Sequence, residues 1–263
     1  MTTATTELVL GDVPLTLDQR GSGQPVLLLH GGGGPQTVSA FAQLLADSGP
    51  AGVITPVHPG FGGTPRPDSL ATIGGLGDLY ARLLDELGLR DVLVVGNSIG
   101  GWIAAELALR APGRIAAVAL VDAAGIEVPG HPVADIFPLT PAELARLSFY
   151  DPEAFRIDPA SMTPEQQRGL AANRTALAVY GGESMLDPGL RARLAGLACP
   201  VLVVWGEADQ IVDLDYGRAW ATAIPGAQFR VLPQAGHLPQ LEAPEALAAA
   251  IWEFSRAGTA GLT

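Results

Sequence analysis

The stretch Val92-Leu93-Val94-Val95-Gly96-Asn97-Ser98-Ile99-Gly100-Gly101 joins an apolar run to the first turn of a helical pattern. Val92 to Val95 reads as a strand buried on both faces. Ile99 to Arg110 reads as a helix closed by Pro112. Between them the chain has to turn sharply, which holds Ser98 in a strained conformation with its hydroxyl exposed. Glycines at 96 and 100, two before and two after the serine, remove side chains that would collide in such a turn. The helix start behind Ser98 leaves the Ile99 N–H outside the helical ladder, where it can face an anion.

Working outward, strand and helix patterns alternate with short connections. Glu7–Leu10 and Val13–Gln19 flank Gly11-Asp12, a hairpin dipeptide. Pro25 to Leu29 is a second buried run. It is followed by a helix from about Val38 to Ala46, a strand from Gly52 to Val57, and the loop His58 to Pro65. Ile73, Leu76, Leu79, Leu83, Leu84 and Leu87 have helical spacing, with Gly88 as the stop. Ile115 to Val121 is the next strand. After residues 123–194 the rhythm resumes with a strand Val201 to Trp205, a helix Tyr216 to Ala223, a strand Gln228 to Leu232 and a helix Pro244 to Phe254. This order predicts an α/β fold, a mostly parallel sheet flanked by helices. The interruption at 123–194 is rich in proline and lacks strand-like runs. Thr140-Pro141-Ala142-Glu143 and Thr163-Pro164-Glu165-Gln166 each read as a helix start with a hydroxyl cap, proline in the first turn and a reciprocal Glu or Gln. The expected organisation is a core of 1–122 and 195–263 with a helical cap at 123–194.

A serine nucleophile needs a base, and the chain has four histidines. Gly236-His237-Leu238 falls between the last strand and the last helix, at a strand's carboxyl end, where open α/β sheets gather their sites. The acid that orients the imidazole is expected in Gly206-Glu207-Ala208-Asp209-Gln210, after the strand Val201 to Trp205. The chain order Ser98, Asp209, His237 matches one of the three known triad orders. Asp122, after the strand Ile115 to Val121, is the alternative acid. The second oxyanion donor is sought in His30-Gly31-Gly32-Gly33-Gly34, where bare backbone approaches closely: Gly32 first, then Gly33. Neither a P-loop lysine nor a complete G-x-G-x-x-G accompanies that run.

Composition narrows the chemistry. The 263 residues carry a formal net charge of −12, and all fifteen basic side chains are arginine. Absence of lysine excludes Schiff-base and lysine-anchored pyridoxal chemistry. The negative field disfavours nucleic-acid phosphates and anionic lipid. One cysteine, Cys199, cannot form a disulfide within the chain. No H-x-H or H-E-x-x-H spacing occurs, so no metal and no cofactor is expected. The first residues lack a signal-peptide pattern, and no apolar stretch approaches the roughly 18 residues of a spanning helix. The expectation is a cytoplasmic protein with a small-molecule substrate and no nucleic-acid or membrane partner, either a monomer or a homodimer.

Taken together, these motifs resemble the α/β-hydrolase superfamily over nearly the whole chain. His30 to Pro35 resembles its oxyanion segment, Gly96 to Gly101 its nucleophile elbow, Gly206 to Asp209 its acid loop and Gly236-His237 its histidine loop. The resemblance implies the α/β-hydrolase fold and a Ser98–His237–Asp209 catalyst with an oxyanion hole at Ile99, Gly32 and Gly33. Haloalkane dehalogenases and epoxide hydrolases of this superfamily use a carboxylate nucleophile, and similar hydroxynitrile lyases a cap lysine; neither residue is here. Carbon–carbon hydrolases of ring-cleavage products share the H-G-G-G and G-N-S-x-G-G segments. They imply a cap arginine, for which Arg174 is the candidate, and an aromatic after the catalytic histidine, where this chain has Leu238. Arg174 is thus either a substrate contact or an exposed helix arginine, and Asn97 either a substrate contact or a turn-former. His30 and His58 are expected to shape loops and His131 to lie on the cap surface. Trp102 and Trp205 are expected in the core. Phe137, Phe149, Tyr150, Phe155 and Tyr180 would line a pocket under the cap or hold it together. The expected activity is hydrolysis of a small or medium apolar ester or lactone through an acyl-enzyme. The alternatives are carbon–carbon hydrolysis of a vinylogous diketone acid and a non-catalytic ligand-binding role.

Overall fold

Burial of both faces of the central strands divides the core into two layers. The computed structural model describes residues 3–155 and 159–260. Its strands are β1 (Thr3–Leu10), β2 (Val13–Gly21), β3 (Gln24–Leu29), β4 (Ala51–Pro56), β5 (Val92–Asn97), β6 (Ile115–Val121), β7 (Val201–Gly206) and β8 (Gln228–Leu232). They form one sheet in the order β1-β2-β4-β3-β5-β6-β7-β8, antiparallel at β1–β2 and β2–β4 and parallel elsewhere. Val26 and Leu28 of β3, Leu93 and Val95 of β5, and Leu202 and Val204 of β7 face one layer. The alternate residues Leu27 and Leu29, Val92 and Val94, and Val201 and Val203 face the other. Period-two alternation on a sheet covered on both sides is what makes these strands read as unbroken apolar runs.

Helices α1 (Gln36–Ser48) and α9 (Pro244–Ala260) cover the first layer with Phe41, Leu45, Ile251 and Trp252. Helices α2 (Ile73–Glu86), α3 (Ile99–Arg110) and α7 (Leu214–Ala223) cover the second with Tyr80, Leu83, Ile103, Leu107, Tyr216 and Trp220. Each fully buried Leu, Ile or Phe here is worth roughly 1.5–3 kcal/mol relative to exposure. Trp102 and Trp205 both lie in this second layer, as expected.

Between β6 and β7 lie α4 (Pro141–Ser148), α5 (Pro164–Gly181) and the short α6 (Leu190–Arg193). Both helix starts inferred in this segment are real capping boxes. Thr140 accepts from the Glu143 N–H while Glu143 accepts from the Thr140 N–H, and Thr163 and Gln166 do the same. The segment does not stand apart from the core: Ala123, Ile126, Leu190 and Leu194 are buried in the second layer. Arg193, at the end of α6, and Arg110 both pair with the buried Glu106 of α3. Gly88 ends α2 with φ +63, as the spacing implied. Two short helices, α6 and α8 (Pro239–Glu242), and the first half of β1 were not foreseen. Thr3 to Thr6 form an exposed edge with no apolar alternation to mark it.

Candidate active site

The elbow begins with packing. Gly96 passes so close to the first turn of α3 that a Cβ there would stand 2.1 Å from the Gly100 carbonyl oxygen. A Cβ on Gly100 would lie 2.3 Å from the carbonyl of Leu29 and 2.7 Å from that of His30. Both glycines are therefore demanded by space, and the second is where the elbow presses against the oxyanion segment. Ser98 itself has φ 57 and ψ −121, an unfavourable conformation for a residue with a Cβ, costing about 1–3 kcal/mol. Backbone bonds hold it there: its N–H donates to Val121 O at 2.9 Å, and its carbonyl accepts from Gly101 and Ala124.

The Ser98 hydroxyl lies 2.9 Å from His237 Nε2, and His237 Nδ1 lies 2.8 Å from Asp209 Oδ2. A carboxylate only accepts, so Nδ1 carries the ring proton and Nε2 accepts from the serine. The second Asp209 oxygen accepts from the N–H groups of Ile211 (2.8 Å) and Val212 (3.1 Å). All three side chains are buried, with Ser98 and His237 retaining only 8% and 7% exposure at the edge of the site. The inferred constellation is thus assembled across 139 and 28 residues of chain.

His237 is held from three sides. Its N–H donates to Ser148 O at the end of α4 (2.7 Å), and its carbonyl accepts from Asn97 Nδ2 (2.9 Å). The neighbouring Gly236 N–H donates to Glu242 of α8 (2.7 Å). Asn97 Nδ2 also reaches Val121 O, and its Oδ1 accepts from Gln240. The expected substrate contact from Asn97 is therefore corrected. Its amide lies behind the nucleophile and clamps the histidine loop. The motif placed a polar residue before the serine, but which way it faced depended on where the His237 loop passed.

The glycine run closes as a turn in which Gly34 N–H donates to Gly31 O (3.1 Å), with Gly34 at φ +96. That bond uses the N–H of neither central residue, Gly32 or Gly33. The turn lies beside the nucleophile: a Cβ on Gly31 would be 3.1 Å from Ser98 Cβ. His30 braces it by donating from Nδ1 to Gly31 O (2.8 Å), while His30 Nε2 accepts from the His58 N–H (3.1 Å). His58 donates from Nε2 to His30 O (3.0 Å) and faces the Tyr80 hydroxyl through Nδ1. Burial lowers the proton affinity of both rings, His30 to a pKa of about 4 and His58 well below its ordinary value. Both are neutral loop-shaping groups, as expected.

From above the turn comes α5. Asn173 donates to Gly33 O (2.8 Å) and accepts from the Gly62 N–H (2.7 Å). Leu177 covers Gly32, and Tyr180 donates to Pro59 O (3.0 Å) while stacking on Phe61. None of these contacts was foreseen. Arg174, singled out as a possible substrate contact, is exposed instead. Its guanidinium donates to Phe137 O within the same segment and lies over the Phe137 ring. This corrects that expectation: the residue before it occupies the inner face of the helix, and helix phase against an unseen partner is not encoded by a single arginine. Phe149 stacks on Phe155 within the segment, while Tyr150 is exposed. His131 is half-buried and pairs with Asp213. Asp122 does not reach His237; it lies behind Asp209, with one oxygen on the Gly206 N–H (2.8 Å).

A hydroxyl bonded to an imidazole, which is bonded in turn to a buried carboxyl group, can give up its proton as it attacks an electrophile. Among the described residues no helix is long and apolar enough to cross a membrane.

Comparison with known proteins agrees with this geometry. The profile of the alpha/beta hydrolase family matches residues 26–250. The chain is 33% identical over 234 residues to a dihydrolipoyllysine-residue acetyltransferase component of an acetoin cleaving system from Cupriavidus necator; the match covers 84% of this chain and 61% of that protein's length. It is 28% identical over 263 residues to 2-hydroxy-6-oxo-6-phenylhexa-2,4-dienoate hydrolase from Burkholderia cepacia, covering 90% and 89%. Among solved structures it is similar to a thermophilic esterase from Thermogutta terrifontis, with a TM-score of 0.74, 30% identity and coverage of 98% and 99%. Topology, elbow, strand-end loops and family profile converge, and the chain belongs to the alpha/beta hydrolase family.

Proposed function

We propose that this hydrolase-family protein is a serine hydrolase that cleaves small or medium apolar carboxylic esters or lactones through an acyl-enzyme. Ser98 Oγ attacks the carbonyl carbon while His237 Nε2 takes its proton. Asp209 keeps the imidazole in the Nδ1–H tautomer and balances its charge. The N–H groups of Ile99 and Gly32, with Gly33 alongside, stabilise the oxyanion. His237 returns the proton to the leaving alkoxide, and water then attacks the acyl group by the same route. The observation that carries this reading is the unbroken relay Ser98–His237–Asp209. An apolar acyl group suits the Leu177 side chain over the oxyanion turn.

The runner-up is hydrolysis of a carbon–carbon bond in a vinylogous diketone acid, supported by the name of the Burkholderia cepacia relative. It has weaker support in the site, because Arg174 is turned to Phe137 and Leu238 stands where an aromatic would be. A panel of p-nitrophenyl esters, lactones and ring-cleavage products separates the two, read beside labelling of Ser98 by a fluorophosphonate. Turnover of esters with labelling at Ser98 supports the proposal. Preferential turnover of ring-cleavage products replaces it with the runner-up. Absence of both labelling and turnover points to a binding protein.

A further inference from the structure

One buried ionisable side chain beside the relay has no part in the chemistry just described. Asp122 follows β6 at φ +46, and its side chain is fully enclosed. Its Oδ1 accepts from the Gly206 N–H at 2.8 Å. Its Oδ2 receives no N–H or O–H from the protein among the described residues. The ionisable group beside it is Asp209, whose N–H donates to the carbonyl of the same Gly206 (3.3 Å) and whose carboxyl favours the protonated form of Asp122. Two carboxylates are both acceptors, so the contact is attractive only with a proton between them. The rest of the surroundings decide which side holds that proton. Asp209 already accepts from Ile211, Val212 and His237. Asp122 accepts from one backbone N–H alone. Glu242 of α8 adds a further negative charge near Asp122, though its own oxygens are engaged by the N–H groups of Tyr150, Asp151 and Gly236. Burial first, and the neighbouring Asp209 charge second, push the Asp122 proton affinity well above the ordinary carboxylate range.

We propose that Asp122 is a positioning residue: it carries the single proton of an Asp122–Asp209 carboxyl pair and donates it to Asp209, fixing the Asp209 carboxylate against His237. The proton stays in the pair through turnover, and no bond to substrate forms. The arrangement gives Asp209 a further donor without placing a cation there, which would compete with His237 for its charge.

The kinetic arm of the test rests on the serine-hydrolase reading; the spectroscopic arm does not. Infrared spectra of the whole protein at neutral pH show a carboxylic-acid C=O stretch that is missing in Asp122→Asn. Asparagine offers Asp209 the same donor and Gly206 the same acceptor, so Asp122→Asn rescues turnover to within about threefold of wild type. Asp122→Ala removes the donor and lowers kcat about tenfold, the cost of one charge-assisted hydrogen bond, at unchanged KM. No acid band in the wild type, or the same band in Asp122→Asn, overturns the proposal. So does an Asp122→Asn variant as slow as Asp122→Ala, which would mean that Asp122 acts ionised. Should no ester be turned over at all, the infrared band alone decides whether the pair holds a proton.

Discussion

The strand-end loops that carry Ser98, Asp209 and His237 are held largely through backbone groups, including those at the end of α4, whereas α5 meets the oxyanion turn through the side chains of one face. In the first region Ser98 N–H holds Val121 O, Asp209 takes the N–H groups of Ile211 and Val212, and His237 hangs between Ser148 and Asn97. In the second, Asn173, Leu177 and Tyr180 touch the oxyanion turn and the loop after β4, while Arg174 faces solvent. Backbone anchoring fixes most of the reacting atoms, with the Asn97 amide on His237 O as the side-chain exception. Side-chain anchoring leaves the roof of the site open to change. The difference assigns chemistry to one region and substrate shape to the other.

Perturbing the two regions separately tests that division. The largest effect falls in the first: Ser98→Ala is expected to lower kcat by about a millionfold with the melting temperature retained, because the relay acts as a unit. Steady-state kinetics and a thermal melt check both halves of that statement; near-native turnover would remove Ser98 from the mechanism.

The next effect is on stability. His30 is protonated more easily in the unfolded chain than in its buried site, so its contribution is present above about pH 6.5 and is lost as pH falls towards 4. About 3 kcal/mol is at stake for this ring alone. The raised proton affinity of Asp122 gives the opposite slope, stability lost as pH rises. Urea midpoints between pH 7 and pH 4 are therefore best compared in the Asp122→Asn background, with and without His30→Asn. A slope unchanged by His30→Asn contradicts the prediction.

Loosening the histidine loop comes third. Asn97→Ala removes the amide that holds His237 O, and kcat is expected to fall about a hundredfold while KM changes little, since misplacement of a reacting group acts on the chemical step. A rise in KM alone would restore Asn97 as a substrate contact.

The second region yields smaller effects. Asn173→Ala strands Gly33 O and the Gly62 N–H, lowering stability by about 1–3 kcal/mol and kcat about tenfold. Equal chain lengths accepted by mutant and wild type, together with unchanged kcat, would show that α5 is not a roof to the oxyanion turn. Arg174→Ala lies at the bottom of the scale: turnover and KM for neutral esters stay within about twofold, as for other exposed substitutions away from the site. A large loss with anionic ring-cleavage products would instead revive the carbon–carbon reading.

Much of the first region was legible before any coordinates. An apolar run, a glycine-flanked serine and a helical pattern occupy adjacent residues, so the elbow is a local object. Asp209 and His237 are 28 residues apart, yet each follows a strand run that marks its place at the sheet's carboxyl edge. The capping boxes at Thr140 and Thr163 were also readable, since each is complete within four residues. Asn97 and Arg174 each have two readings in the sequence, and Asn173 has none, because their roles depend on the direction in which a side chain faces a distant element. Asn97 needed the path of the His237 loop, and Asn173 and Arg174 needed the phase of α5 over the glycine turn.

From the sequence alone came the alternation of strands and helices, the strained serine, and the order of nucleophile, acid and base. These follow from hydrophobic period and turn sterics, which act over a few residues. Only the folded chain decided that Asp209 rather than Asp122 meets His237, that Asn97 holds the His237 carbonyl, and that Asn173, not the arginine beside it, reaches the oxyanion turn. Those outcomes are set by close packing between segments 28 to 140 residues apart, where shifting a helix by one residue turns its side chains by about 100°.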